Sequence, residues 1–99
     1  MTEKMENIIE LKVRKDIIYL AGNEYGYKIY KEQIMNLIDY KAINYIKIPD
    51  HIQKVAISFV QGLFRDILRK INKKDISDHF VILTANEFLH DKFISSITF

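Results

Sequence analysis

Short β-branched runs alternate with segments of helical periodicity along this chain, and that alternation is the feature that most constrains its fold. Residues 9–14 alternate apolar and charged side chains, which predicts a strand over about residues 8–13 with one buried face. Residues 17–20 form a second short run, which we expect to pair with the first as a hairpin. Residues 42–48 and 80–84 predict two further strands, the last of them buried on both faces.

Three other segments have the apolar spacing of amphipathic helices. The first covers residues 24–40, with Asn23 as its expected N-cap. The second covers residues 57–71 and has the clearest stripe, because its apolar side chains recur every three or four positions. The third covers residues 87–97 and follows a predicted N-cap at Asn86.

The order ββαβαβα predicts one small α/β domain, a mixed sheet of about four strands with three helices. A chain of 99 residues has room for one hydrophobic core, and residues 1–7 are expected to be flexible. The longest uncharged run has ten residues, about half of what a membrane span requires. We find no export signal and therefore expect a cytoplasmic protein without a membrane contact.

Reactive side chains are few, with no cysteine, three histidines and three glycines. This excludes disulfides, zinc ribbons and thiol nucleophiles, and no glycine-rich phosphate loop is present. One predicted helix carries carboxylate and imidazole groups at metal-ligand spacing: Glu87, His90 and Asp91. No further ligand accompanies them, and Asp50, His51 and Ser58 lack the arrangement of a catalytic triad. The sequence therefore predicts a non-enzymatic protein without a metal or cofactor.

The charges are balanced, since 15 lysine and arginine residues face 13 aspartate and glutamate residues for a net charge of +2. Such a balance makes nucleic acid an unfavoured partner. A basic patch is still expected on the second long helix and its tail, formed by Arg65, Arg69, Lys70, Lys73 and Lys74. Asp66 and Asp75 interrupt this patch, which favours an acidic protein over DNA, and a solvated face is the simpler interpretation.

The strand over residues 42–50, which ends in Asp50, is followed by a loop and a helix start over residues 56–64. In the second segment a Ser-Phe pair opens the helix and a Leu-Phe pair ends it. This pattern resembles the STAS-like domains of unknown function found in bacteria, which are relatives of the sulphate-transporter and anti-sigma-factor-antagonist fold. Residues 20–26 are similar to the family's small-residue turn into its first helix, and the resemblance extends over about residues 11–97.

Two positions depart from the family's pattern. Pro49 shifts the carboxylate of Asp50 by one place, and Gln61 with Gly62 stands where the family tends to have an acidic pair. The resemblance nevertheless implies a STAS-like fold. The two departures weaken the inference that this chain makes the partner contacts which those carboxylates make in the family.

Ser58 matches a serine that a partner kinase of the histidine-kinase-type ATPase fold phosphorylates in the anti-sigma-antagonist relatives. The resemblance therefore implies a phosphorylation switch at Ser58, because a phosphate would add nearly two negative charges to a contact surface. The simpler interpretation is that Ser58 caps its helix. Gly62 lies inside the same predicted helix, where glycine costs about 1 kcal/mol relative to alanine, and this indicates close approach of another backbone.

We expect a regulatory module that binds a protein through the surface around Ser58, with contacts from Asp50, His51, Gln61, Gly62 and Arg65. The partner would be a histidine-kinase-type ATPase or a host complex. The alternative is a small phage or mobile-element protein that inhibits a host defence or regulatory complex by binding it. A nucleic-acid-binding domain is the weaker alternative, and the sequence leaves open whether the chain forms a homodimer.

Overall fold

Five strands form two parallel sheets in the computed structural model, which describes residues 5–98. The strands are β1 (Glu6–Glu10), β2 (Tyr19–Leu20), β3 (Ile43–Lys47), β4 (Lys54–Val55) and β5 (Phe80–Leu83). The helices are α1 (Asn23–Ile29), which continues as a π-helical turn (Tyr30–Ile34), α2 (Ile57–Leu63), α3 (Ile67–Lys70), a 3₁₀-helix (Lys73–Asp78) and α4 (Glu87–Thr98). The prediction of a small α/β domain is confirmed.

The predicted hairpin and the single mixed sheet are wrong. The larger sheet has the order β1-β3-β5, and β2 pairs with β4 in a separate sheet. All three strand pairings are parallel. A tight turn joins antiparallel strands, whereas parallel strands need a longer crossover connection. Strand β1 accordingly pairs with β3, and β2 pairs with β4, both of which come later in the chain. Strand β4 was missed because two residues, Lys54 and Val55, are too few to show a period.

Among the described residues, the three-stranded sheet has one face buried in the core and an outer face that is partly exposed. In register across β1, β3 and β5, Ile9 lies beside Ile46 and Ile82, and all three side chains are buried in the core. The alternate positions form the outer face, which consists of Glu6, Ile8, Glu10, Ile43, Tyr45, Lys47, Val81 and Leu83. The prediction that the last strand is buried on both faces is therefore wrong for β5, whose Leu83 is exposed.

The helices are shorter than the apolar stripes predict. The first ends at Ile34, after a π-helical turn, and its N-cap is Gly22 with a φ of 97°, not Asn23. Gly22 suits this position because only glycine adopts a positive φ without steric cost. The second predicted helix is interrupted after α2 at Phe64, whose φ of −100° and ψ of 6° leave the helical range. At Asn86 the predicted cap is confirmed, because its Oδ1 accepts the N–H of Leu89 at 3.2 Å.

The strand β1 begins at Glu6 and includes Asn7, whereas residues 1–4 lie outside the described residues. The expected flexibility of residues 1–7 stays a prediction. Within residues 5–98 no helix is both long enough and apolar enough to cross a membrane.

Candidate functional site

Helices α1 and α2 cross at two glycines, which explains why Gly62 interrupts a helical stripe. A Cβ atom built on Gly62 would overlap the carbonyl oxygen of Asn23 and lie 3.0 Å from the backbone nitrogen of Tyr27. A Cβ atom on Gly26 would overlap the carbonyl oxygen of Phe59 in the same way. The predicted close approach at Gly62 is confirmed, and the backbone that approaches is α1. Gly62 is buried between the helices and offers no surface to a partner.

Ser58 lies in the first turn of α2 and does not cap it. Ala56 occupies the N-cap position, and no side chain bonds to the helix end there. The Ser58 hydroxyl oxygen instead accepts a hydrogen bond from the backbone N–H of Gly22 at 3.1 Å. This bond joins the start of α2 to the turn before α1. The expectation that Ser58 caps its helix is therefore wrong, and its phosphorylation stays a prediction.

Asp50 and His51 follow β3 at the carboxyl edge of the sheet. Asp50 is exposed, while His51 is half-buried and its Nε2 lies 3.0 Å from the carbonyl oxygen of Arg14. A shallow cleft of about 220 Å³ beside them is lined by Glu10, Lys12, Lys47 and Asp50, among others. Asp50 and His51 therefore belong to the edge formed by β1 and β3, whereas Ser58 bonds to the turn before α1.

Arg65 is held against α1 by several contacts. Its guanidinium donates hydrogen bonds to Oδ1 of Asn23 and, at 3.4 Å, to Oε1 of Glu24. The same group lies 4.1 Å from the ring centroid of Tyr27, a distance typical of a cation–π contact. Gln61, one turn earlier, is exposed. Gln61 on α2 is thus exposed to a partner, while Arg65, just after the end of α2, serves the packing against α1.

The basic patch divides into two parts. Arg69 and Lys70 line a cleft of about 630 Å³ that also contains Asp75 and Asp78, so its charge is mixed. Lys70 lies 5.1 Å from the ring centroid of Tyr40. Lys73 and Lys74 instead border an apolar pocket of about 240 Å³ between the 3₁₀-helix, β5 and α4. Arg69 and Lys70 therefore line one cleft and Lys73 and Lys74 another, while Arg65 contacts α1.

Three tyrosines beside this patch have raised pKa values. The hydrogen bond that the Tyr27 hydroxyl donates to Asp66, at 2.9 Å, is the main reason why the pKa of Tyr27 is raised. Burial is the main reason why the pKa values of Tyr30 and Tyr40 are raised. The Tyr40 hydroxyl is buried and has no hydrogen-bond partner among the residues described. The folded state therefore favours the protonated form of all three phenols.

Because the pKa values of these three tyrosines are raised, we expect the protein to lose stability at alkaline pH. In the unfolded chain the phenols ionise near their ordinary pKa of about 10, while the folded chain holds their protons to higher pH. The stabilisation is therefore fully present below pH 10, and we expect the free energy of unfolding to fall as the pH rises further. Urea denaturation between pH 8 and pH 11 measures this slope. In the Tyr30→Phe variant the slope should be smaller, and an equal slope in both proteins would contradict the assignment.

The three residues with metal-ligand spacing, Glu87, His90 and Asp91, all lie on α4. The Nδ1 atom of His90 lies 3.5 Å from Oδ1 of Asp91, and Glu87 is exposed. Among residues 5–98, no group of three or more histidine, aspartate or glutamate side chains is placed to hold a metal ion.

The outer face is the surface that sequence reasoning missed. Ile8, Tyr45 and Val81 form a row in register across its three strands. Ile8 is 61% exposed, and Leu83, at the carboxyl edge of the same face, is 36% exposed. The sequence contains one signal for this surface. Ile8 lies two residues from Glu6 and from Glu10, so its side chain is on the same side of the strand as theirs and opposite to the buried Ile9. An apolar residue in the solvent phase of an alternating strand marks a surface, not a core.

Comparison of the chain with protein-family models, curated proteins and solved structures finds no significant match.

Proposed function

We propose that this chain is a non-enzymatic protein-interaction module that binds its partner on the outer face of the β1-β3-β5 sheet. The observation that carries the proposal is the row Ile8, Tyr45 and Val81 on the outer face of a parallel sheet, in which Ile8 is exposed and Tyr45 and Val81 are half-buried. Parallel sheets are almost always covered on both faces, because the crossover connections between their strands place helices there. A partner that covers this row would remove exposed apolar surface from water, which is favourable.

The surface around Ser58 has less support as the partner site. The Ser58 hydroxyl oxygen already accepts the Gly22 N–H, Arg65 is bound to α1, and Gly62 is buried. Gln61 and Asp50 are the exposed members of that set. The STAS-like resemblance and the kinase-type partner that it implies remain proposals. The same outer face would serve a phage-encoded inhibitor that binds a host complex.

Paired surface variants test the outer face. Ile8→Lys combined with Leu83→Lys places two charges on exposed positions of the face, and the stability should change by less than about 0.5 kcal/mol per substitution. The matched control is Met35→Lys with Phe88→Lys, which alters two exposed apolar side chains elsewhere. Proteins retained by the immobilised wild type from host lysate are compared with those retained by each variant. We expect the same protein to be retained by the wild type and the control and to be lost with the outer-face variant.

A third variant, Asp50→Lys with Gln61→Lys, examines the competing surface. It should retain the protein that the wild type retains. If this variant or the control loses the protein while the outer-face variant keeps it, the proposed site is wrong.

A further inference from the structure

We infer that the element of the partner that covers the outer face is a single amphipathic helix of about three turns with basic residues along one flank. The inference rests on the proposed function, because it names what that same face binds. It follows from the size of the face, from its shape and from the distribution of its charges.

The outer face by itself is too small to hold a stable dimer without contacts elsewhere. Three strands spaced about 4.8 Å apart, with five residues of about 3.3 Å each, give a backbone footprint of roughly 200 Å². A stable protein interface buries about 800 Å² on each partner. The face does match one helix, because a helix is about 10–12 Å wide and three turns are about 16 Å long. The outer face therefore fits one helix. The partner that carries this helix makes further contacts elsewhere.

The arrangement of the apolar side chains favours a helix over an added strand. A strand would pair with the backbone at the free edge of β1 or β5 and would leave the row Ile8, Tyr45 and Val81 uncovered. A helix laid on the face covers the row with side chains at positions i, i+3, i+4 and i+7. Helices also cover the faces of parallel sheets in α/β proteins generally.

The charges of the outer face indicate which flank of the helix is basic. Glu6 and Glu10 lie on β1 at one edge of the face, and both are exposed. The opposite edge, on β5, has the apolar Leu83 in register with Lys47. Lys47 lies 3.4 Å from Glu10, but an ion pair between exposed side chains contributes little, so Glu10 can bind a second cation. Glu6 and Glu10 are about 13 Å apart along the strand, a separation that basic residues seven or eight positions apart on a helix approach.

A designed peptide tests the inference with the whole chain. The probe is a 14-residue peptide with leucine on one helical face, lysine at two positions seven apart on one flank, and alanine and glutamine elsewhere. Amide chemical shifts of the ¹⁵N-labelled chain are followed as the peptide is added. We expect the shifts to concentrate on β1, β3 and β5. The dissociation constant should rise about tenfold or more with Ile8→Lys plus Leu83→Lys, and also when glutamate replaces both lysines of the peptide.

The matched control peptide has the same composition rearranged to alternate with period two, so that it is amphipathic only as a strand. Stronger binding of this peptide, with new protection of amides at the free edge of β1 or β5, would overturn the helix and leave the proposed function intact. Dimerisation of the chain through the outer face at micromolar concentration, seen by sedimentation equilibrium, would also overturn the helix and leave the proposed function intact. Absence of binding by the helical peptide would also overturn the inference, whereas the proposed function fails only if the lysate comparison implicates another surface.

Discussion

Gly62→Ala is expected to lower the free energy of unfolding by about 3 kcal/mol, the upper part of the range for overpacked sites. The added methyl group would overlap the carbonyl oxygen of Asn23 and lie 2.8 Å from its carbonyl carbon. These are backbone atoms of α1, so relief requires α1 and α2 to move apart. Helix propensity alone would have the opposite effect, a gain of about 1 kcal/mol for alanine over glycine. The sign of the change therefore distinguishes the two effects.

The control for this prediction is Gln61→Ala, which changes the adjacent and exposed residue of the same helix. Its free energy of unfolding should stay within about 0.5 kcal/mol of the wild type. Gly26→Ala should destabilise the chain as Gly62→Ala does, since its methyl group meets the carbonyl oxygen of Phe59. Urea denaturation measures all three variants. A Gly62→Ala variant that is as stable as the wild type, or more stable, would show that the helices do not cross as closely as described.

Asn44→Asp is expected to be the second large effect, with a loss of about 3 kcal/mol. The Asn44 side chain is completely buried at the start of β3. Its amide group donates hydrogen bonds to the carbonyl oxygens of Asp39, at 2.8 Å, and of His79, at 3.2 Å. Its Oδ1 accepts the side-chain amide of Asn7 at 2.8 Å and the backbone N–H of Asp39 at 3.0 Å. An aspartate of the same shape loses the donors and places a charge beside the carbonyl oxygens.

The matched control is Asn36→Asp, the same change at an exposed position, which should alter the free energy of unfolding by less than about 0.5 kcal/mol. Hydrogen exchange adds a local measurement. The Asn44 backbone N–H donates to the carbonyl oxygen of His79, and the protection of this β3-to-β5 bond should fall in Asn44→Asp. If both aspartate variants have equal stability, the buried amide network does not hold the sheet together.

Local sequence patterns predict much of this architecture, because helix periodicity, strand periodicity and capping depend on residues that are neighbours in the chain. The strands at β1, β3 and β5, the start of α4 at Asn86 and the close approach at Gly62 were all predicted from periodicity, capping chemistry or propensity. The pairing of β2 with β4 was not predicted. It depends on contacts between residues more than thirty positions apart, which a local pattern does not contain.

The candidate site likewise has features that the sequence predicts and features that only the structure shows. The predicted site groups residues that are close to Ser58 in the sequence. In the structure Ser58 contacts Gly22, Arg65 contacts Asn23 and His51 contacts Arg14. The sequence by itself determined the alternation of strands and helices and the absence of thiol and phosphate-loop chemistry. Only the tertiary structure decided that Ile8, Tyr45 and Val81 form one row on the outer face. Register between strands brings side chains together across the sheet, and parallel register is set by the packing of the whole domain.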